Sequence, residues 1–148
     1  MDLDVRELQD AFDRDIKAID EAYERAAKRS GLSPASFDIL YALYAYGDGC
    51  TQKDLCARCF DGKQTINSAV HRMVREGLLS LEAGRGRSTS VYLTDAGRAS
   101  AAQSIVPVMT AERRAIESIG ADRAALLSAA LGAYARALVR ALDGEEGA

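Results

Sequence analysis

Residues 51–98 impose an order of local structures that few folds can accommodate. Thr51-Gln52-Lys53-Asp54-Leu55 opens a short amphipathic helix, with threonine as N-cap and an acidic residue three positions on, near the positive helix end. Asp61-Gly62 supplies a tight turn, and a second helix is predicted over residues 63–76, stopped by Gly77-Leu78-Leu79. Two strand-like runs, Leu78-Leu79-Ser80-Leu81 and Ser88-Thr89-Ser90-Val91-Tyr92-Leu93, flank a tip of Gly84-Arg85-Gly86-Arg87. Leu93-Thr94-Asp95-Ala96-Gly97 then begins another helix. The succession is helix, turn, helix, basic hairpin.

The second of these helices has two unlike sides. At about 100° per residue, Ile66, Ala69, Val70, Met73 and Gly77 share one side and are expected to face a core. Gln64, Asn67, Ser68, His71 and Arg75 lie opposite. Glutamine and asparagine amides donate and accept together, which matches the N6/N7 edge of adenine, whereas serine reads less specifically. His71 can donate to guanine or to phosphate according to its protonation. Gln64, Asn67 and Ser68, near the helix start, are the candidate base readers; Lys63 is a further DNA-binding candidate, and Thr65, Arg72 and Arg75 lie towards the edges, where phosphate contact is expected. Arg85 and Arg87, set between glycines, suit a narrow minor groove. The plain alternative is a solvated helix face and a solvated loop.

Bulk charge taken alone argues against such a partner, because the 148 residues carry a net −3. Its distribution reverses the inference. Residues 63–98 hold Lys63, Arg72, Arg75, Arg85, Arg87 and Arg98 against Glu76, Glu82 and Asp95, a local +3, so the rest sums to −6. A basic face on an acidic body fits docking through one side. With 48% apolar and 28% charged residues the length suits one core. No uninterrupted run approaches the roughly 18 apolar residues of a membrane span and no basic-then-apolar leader opens the chain, so a soluble cytoplasmic protein with no membrane partner is expected.

Outside the central segment the pattern is helical. Val5, Leu8, Phe12, Ile16, Ile19, Tyr23 and Ala26 step by three or four, ending at Gly31. Ser33-Pro34 starts a helix reaching about Tyr46, apolar around much of its circumference through Phe37, Ile39, Leu40, Leu43 and Tyr44. Thr94 caps a helix predicted to run to about Ser118, kinked by Pro107. After Gly120, Leu127, Leu131, Tyr134 and Leu138 form a second stripe. The two terminal stripes need cover: a second copy of the chain, or each other within one chain.

These residues together resemble the multiple-antibiotic-resistance regulator (MarR) family. The resemblance is carried by Leu32-Ser33 to Leu40, Thr51-Gln52-Lys53-Asp54-Leu55, Lys63-Gln64-Thr65-Ile66-Asn67-Ser68, Glu76-Gly77-Leu78 and Leu93-Thr94-Asp95-Ala96-Gly97. It implies a mainly α fold with a small antiparallel β-wing, a winged helix-turn-helix over residues 34–98 and dimerising helices over 1–30 and 99–143. It also implies a homodimer on a pseudo-palindromic duplex DNA site, acting as a repressor released by a small-molecule effector or by cysteine oxidation. Half-sites about 10 bp apart would suit such a dimer. Many members carry Asp-x-Arg at the wing; here Arg87 matches the arginine, and Arg85 stands in the aspartate's place. The family's effector cleft lies between dimerising helices and winged module. Tyr23, Tyr41, Tyr44 and Tyr46 are candidates for its walls or ordinary core tyrosines, and no ligand-binding residue is assigned.

Cys50, Cys56 and Cys59 leave three readings open: core packing, thiol sensing, or metal binding. Cys56 and Cys59 are expected on one helix, with Cys59 on the Leu55 side; one regular helix orients such a pair poorly for a disulfide, and a structural zinc needs four ligands. With a single histidine, no phosphate-cradling glycine loop and no nucleophile beside a base, no reaction class, catalytic residue, metal site or cofactor is proposed. A winged module that binds protein instead of DNA is the competing function, disfavoured by the polar, aromatic-free reading face.

Overall fold

The computed structural model describes residues 4–84 and 86–144. The elements in order are α1 (Val5–Ser30), α2 (Pro34–Tyr46), β1 (Cys50–Thr51), α3 (Gln52–Arg58), α4 (Lys63–Arg75), β2 (Leu79–Ala83), β3 (Thr89–Leu93), α5 (Asp95–Ser104), α6 (Val106–Ile119) and α7 (Ala121–Leu142). The chain is thus mainly helical with one small antiparallel sheet, ordered β1-β3-β2. Two compact units divide it, Met1–Val108 and Met109–Ala148.

In the first unit, local chemistry sets the helix limits. Asp4 accepts from the Arg6 and Glu7 amides at 2.9 and 3.1 Å, and Gly31, at φ 73°, closes α1 in the left-handed conformation. Ser33 caps α2, with Pro34 where a missing N–H costs nothing. Thr51 accepts from the Asp54 amide at 3.1 Å, while its hydroxyl donates to the Asp54 carboxylate at 2.8 Å. Around α2 gathers the core: Ile39, Leu40 and Leu43 from α2 itself, Leu55 from α3, Ile66, Val70 and Met73 from α4, Leu79 from β2, Val91 from β3, and Ile105. In the hairpin, Leu79 pairs with Leu93 and Leu81 with Val91, which puts alternate residues on the core side.

In the second unit, α7 follows the rest of α6 across Gly120, at φ 83°. Among the described residues none in α7 is buried; Leu126, Leu127, Leu131, Leu138, Val139 and Leu142 are all exposed.

Four sequence expectations need correction. The helix expected from Thr94 to about Ser118 is two helices, separated at Ile105. Pro107 lies in the first turn of α6, where it offers no N–H to a carbonyl one turn back, so the expected kink is realised as a break. Gly77 does not extend the buried side of α4: the helix ends at Arg75, and Gly77 is exposed at φ 76°. β1, two residues paired as Cys50↔Val91 and Thr51↔Ser90, was not anticipated. Finally, α7 is long and apolar enough to cross a membrane by length and composition, with mean hydropathy 1.4. Counting unbroken apolar runs misses it because Ser128 and Gly132 interrupt the run without adding charge, while Asp122, Arg123, Arg136 and Arg140 lie towards its ends.

Candidate nucleic-acid interface

α4 is held by one side and presented by the other. Ile66, Ala69, Val70 and Met73 are buried, fixing the helix rotation, and Lys63, Gln64, Thr65, Ser68, His71, Arg72 and Arg75 are exposed. Lys63, Gln64, Asn67, Ser68 and His71 line a shallow open depression of about 400 Å³. Gly62 gives α4 no side-chain cap, unlike Asp4, Ser33, Thr51 and Thr94 on their helices. The first amides of α4 thus remain for water or an anion such as phosphate.

Two of the predicted residues are engaged by neighbouring helices. Asn67 is half-buried, and its Oδ1 accepts from Gln52 Nε2 at 2.6 Å and from the Cys56 thiol at 3.8 Å. Arg72 Nη2 donates to Ser33 Oγ at 2.8 Å and to Ser36 Oγ at 3.1 Å, which ties α4 to the start of α2. The guanidinium thereby adds positive charge to a groove of about 600 Å³ also lined by Gln64, Thr65, Ser68 and Asp61. Gln52, Ser33 and Ser36 were not foreseen as supports; Ser33 and Gln52 were read only as parts of helix starts.

Behind α4 the wing is anchored at its base. The Gly84 amide donates to the Ser88 carbonyl at 2.8 Å, closing the loop that exposes Arg87. Arg85 lies outside the described residues. Asp48 Oδ2 accepts from the Leu93 amide at 2.9 Å and from Arg98 Nη2 at 2.8 Å. The Thr94 hydroxyl donates to the Gly77 carbonyl and accepts from the Gly97 amide at 3.0 Å. At Gly97 a Cβ would collide with the Leu78 carbonyl oxygen, which explains the glycine of the Leu-Thr-x-x-Gly string.

The cysteines are less helical than expected. Cys59 is not on α3 beside Leu55 but follows it in extended conformation, because the helix ends at Arg58. All three thiols are half-buried. Burial pushes Cys59 up to about 12, reinforced by the facing Asp38 carboxylate, to which the thiol donates. Burial likewise raises Cys50, against the lowering influence of Arg58. Asp38 is itself raised by burial, although it accepts from the Phe60 amide at 2.8 Å. Thiols held protonated are slow nucleophiles. Alkylation of Cys59 by iodoacetamide at pH 7.5, read by peptide mass spectrometry, should be at least about tenfold slower in the folded protein than in urea. Equal rates would contradict the protonated state. Among the described residues no group of three or more His, Cys, Asp or Glu could hold a metal ion. Of the tyrosines, Tyr46 stacks under Arg58, 5.2 Å from its guanidinium carbon to the ring centre; Tyr23 and Tyr44 are exposed and Tyr41 is half-buried.

A helix with an exposed polar face, anchored on a helical core and backed by a two-stranded basic hairpin, defines a winged helix-turn-helix protein. Residues 30–88 match the family model described as MarR family. The fold is similar to NMB1585, a MarR family regulator from Neisseria meningitidis, at TM-score 0.80 and 23% identity, covering 93% of this chain and 97% of that one. It is also similar to the Mycobacterium tuberculosis regulator MosR in complex with DNA, at TM-score 0.59 and 27% identity, covering 86% and 95%. A third likeness is to the organohalide-sensing regulator RdhR in its 2,4-dichlorophenol-bound form, at TM-score 0.67 and 20% identity, covering 93% and 83%. No curated protein matches the chain. The family match is confined to residues 30–88, and the fold is that of the MarR family regulators to which the chain is similar.

Proposed function

We propose that this protein is a homodimeric repressor that reads a pseudo-palindromic duplex DNA site and is released by a small-molecule effector. The observation carrying this reading is the α4 surface: Gln64, Ser68, His71 and Arg75 exposed on one side, Ile66, Val70 and Met73 fully buried on the other, with Arg87 exposed at the wing behind. Side chains that could have been buried or neutralised are instead held out on a rigid rod whose width suits a major groove. Lys63, Thr65 and Arg72, with the uncapped start of α4, fit the phosphates that flank such a groove. MosR, solved with DNA, supports the DNA reading, and RdhR, solved with a chlorophenol, supports the effector. The outward stripes of α1 and α7 support two copies, since a twofold interface pairs each stripe with its equal.

The test is a duplex titration of wild type and Arg87→Ala at several salt concentrations. Wild type should bind with steep salt dependence. The variant should bind all sequences more weakly and lose about one unit of the logarithmic salt slope, because a phosphate or minor-groove cation has been removed. A chain that ignores duplex DNA at every salt concentration would refute the reading.

A further inference from the structure

Resting on that DNA reading, we propose that Gln52 is a positioning residue that decides which base Asn67 can read. An asparagine amide has an accepting end and a donating end, and adenine requires both, because its major-groove edge offers N7 as acceptor beside N6–H as donor. In this protein the accepting end is already taken. Two donors on α3, the Gln52 amide at 2.6 Å and the Cys56 thiol at 3.8 Å, converge on the same Asn67 Oδ1. Trigonal geometry leaves Nδ2 as the end available to the depression that Asn67 lines with Gln64, Ser68 and His71. An NH₂ group alone is met best by guanine, whose O6 and N7 are adjacent acceptors, whereas adenine sets a competing N6–H beside its N7 and thymine offers O4 alone. The same contact joins α3 to α4, so the base preference of α4 is partly written in a residue of α3.

The proposal predicts a change of preference that loss of packing would not produce. Duplexes selected from a randomised pool by the full chain should show guanine favoured by about fivefold or more at one position in each half-site, and Asn67→Ala should flatten that position alone. Gln52→Glu presents only acceptors to Asn67. It should draw Nδ2 inward, turn Oδ1 outward, and move the preference from guanine to a base offering a donor, cytosine or adenine. Gln52→Ala, which leaves only the weak thiol bond of Cys56 on Oδ1 and so lets the amide turn, should broaden the position to guanine and adenine. If both Gln52 variants keep the wild-type preference, with affinity merely lowered for every sequence, Gln52 is only structural and the proposal is overturned. It is equally overturned if Asn67→Ala alters no position. Wild-type protein that binds duplex yet enriches no sequence would instead remove the sequence-reading function on which the proposal rests.

Discussion

Replacing Leu127 and Leu131 together by glutamate will leave a folded winged module that sediments as a monomer and holds operator DNA about a hundredfold more weakly than wild type. No residue of α7 is buried among those described, so the substitutions remove no core contact of the chain itself. Leu127 and Leu131 are 58% and 56% exposed and lie one turn apart, with Leu138 two turns further on. On α1, Phe12, Ile16, Ile19 and Tyr23 are exposed in the same manner. Apolar area on that scale is stable in water only when covered. Four glutamates facing one another across a twofold axis would repel, and a lone protomer would lose the gain from holding two half-sites at once. Sedimentation velocity and a duplex titration measure the two effects, with circular dichroism as the folding control. A variant that stays dimeric would show that α7 is not the interface. Flotation of the wild-type chain with lipid vesicles would show that the stripe serves a bilayer instead, a role its length and hydropathy permit.

Gly97→Ala should have the largest effect on stability of any single methyl added to the module, about 3 kcal/mol. The new Cβ would meet the Leu78 carbonyl oxygen, with the Leu93 side chain 3.3 Å away. The neighbour is backbone and cannot rotate aside. That carbonyl also accepts from the Thr94 amide at 3.1 Å, so moving it disturbs the junction of β2 with α5. Thermal unfolding followed by circular dichroism should show a transition lowered by several degrees or more. An unchanged transition would mean that the junction yields freely, and the explanation offered for this glycine would be wrong.

The rotation of α4 was legible because burial leaves a period: Ile66, Ala69, Val70 and Met73 recur at steps of three and four, and all are buried. The wing was legible because glycine and arginine interrupt two alternating runs. What periodicity cannot report is which residue of one helix meets which residue of another. Gln52 and Asn67 are 15 positions apart, and Arg72 lies 39 and 36 positions from Ser33 and Ser36. Those contacts arise only when α2, α3 and α4 share a core, so the amide of Asn67 reads from sequence as uncommitted and from structure as half engaged. β1 escaped for another reason: two residues are too few for alternation to register. Cys59 was misplaced because α3 ends at Arg58, and no glycine or proline marks that end.

The carboxylate of Asp48 has a mechanical consequence. One oxygen fastens the segment after α2 to the last residue of β3 and to Arg98 of α5, so three segments meet at the root of the hairpin. Strands of five residues reach about 17 Å at 3.3 Å per residue. A tilt of about 10° at that root would swing the arginine at the far end through about 3 Å, the breadth of a hydrogen bond. Rearrangement at that root far too small to disturb the core would therefore be enough to displace Arg87 by the length of one contact.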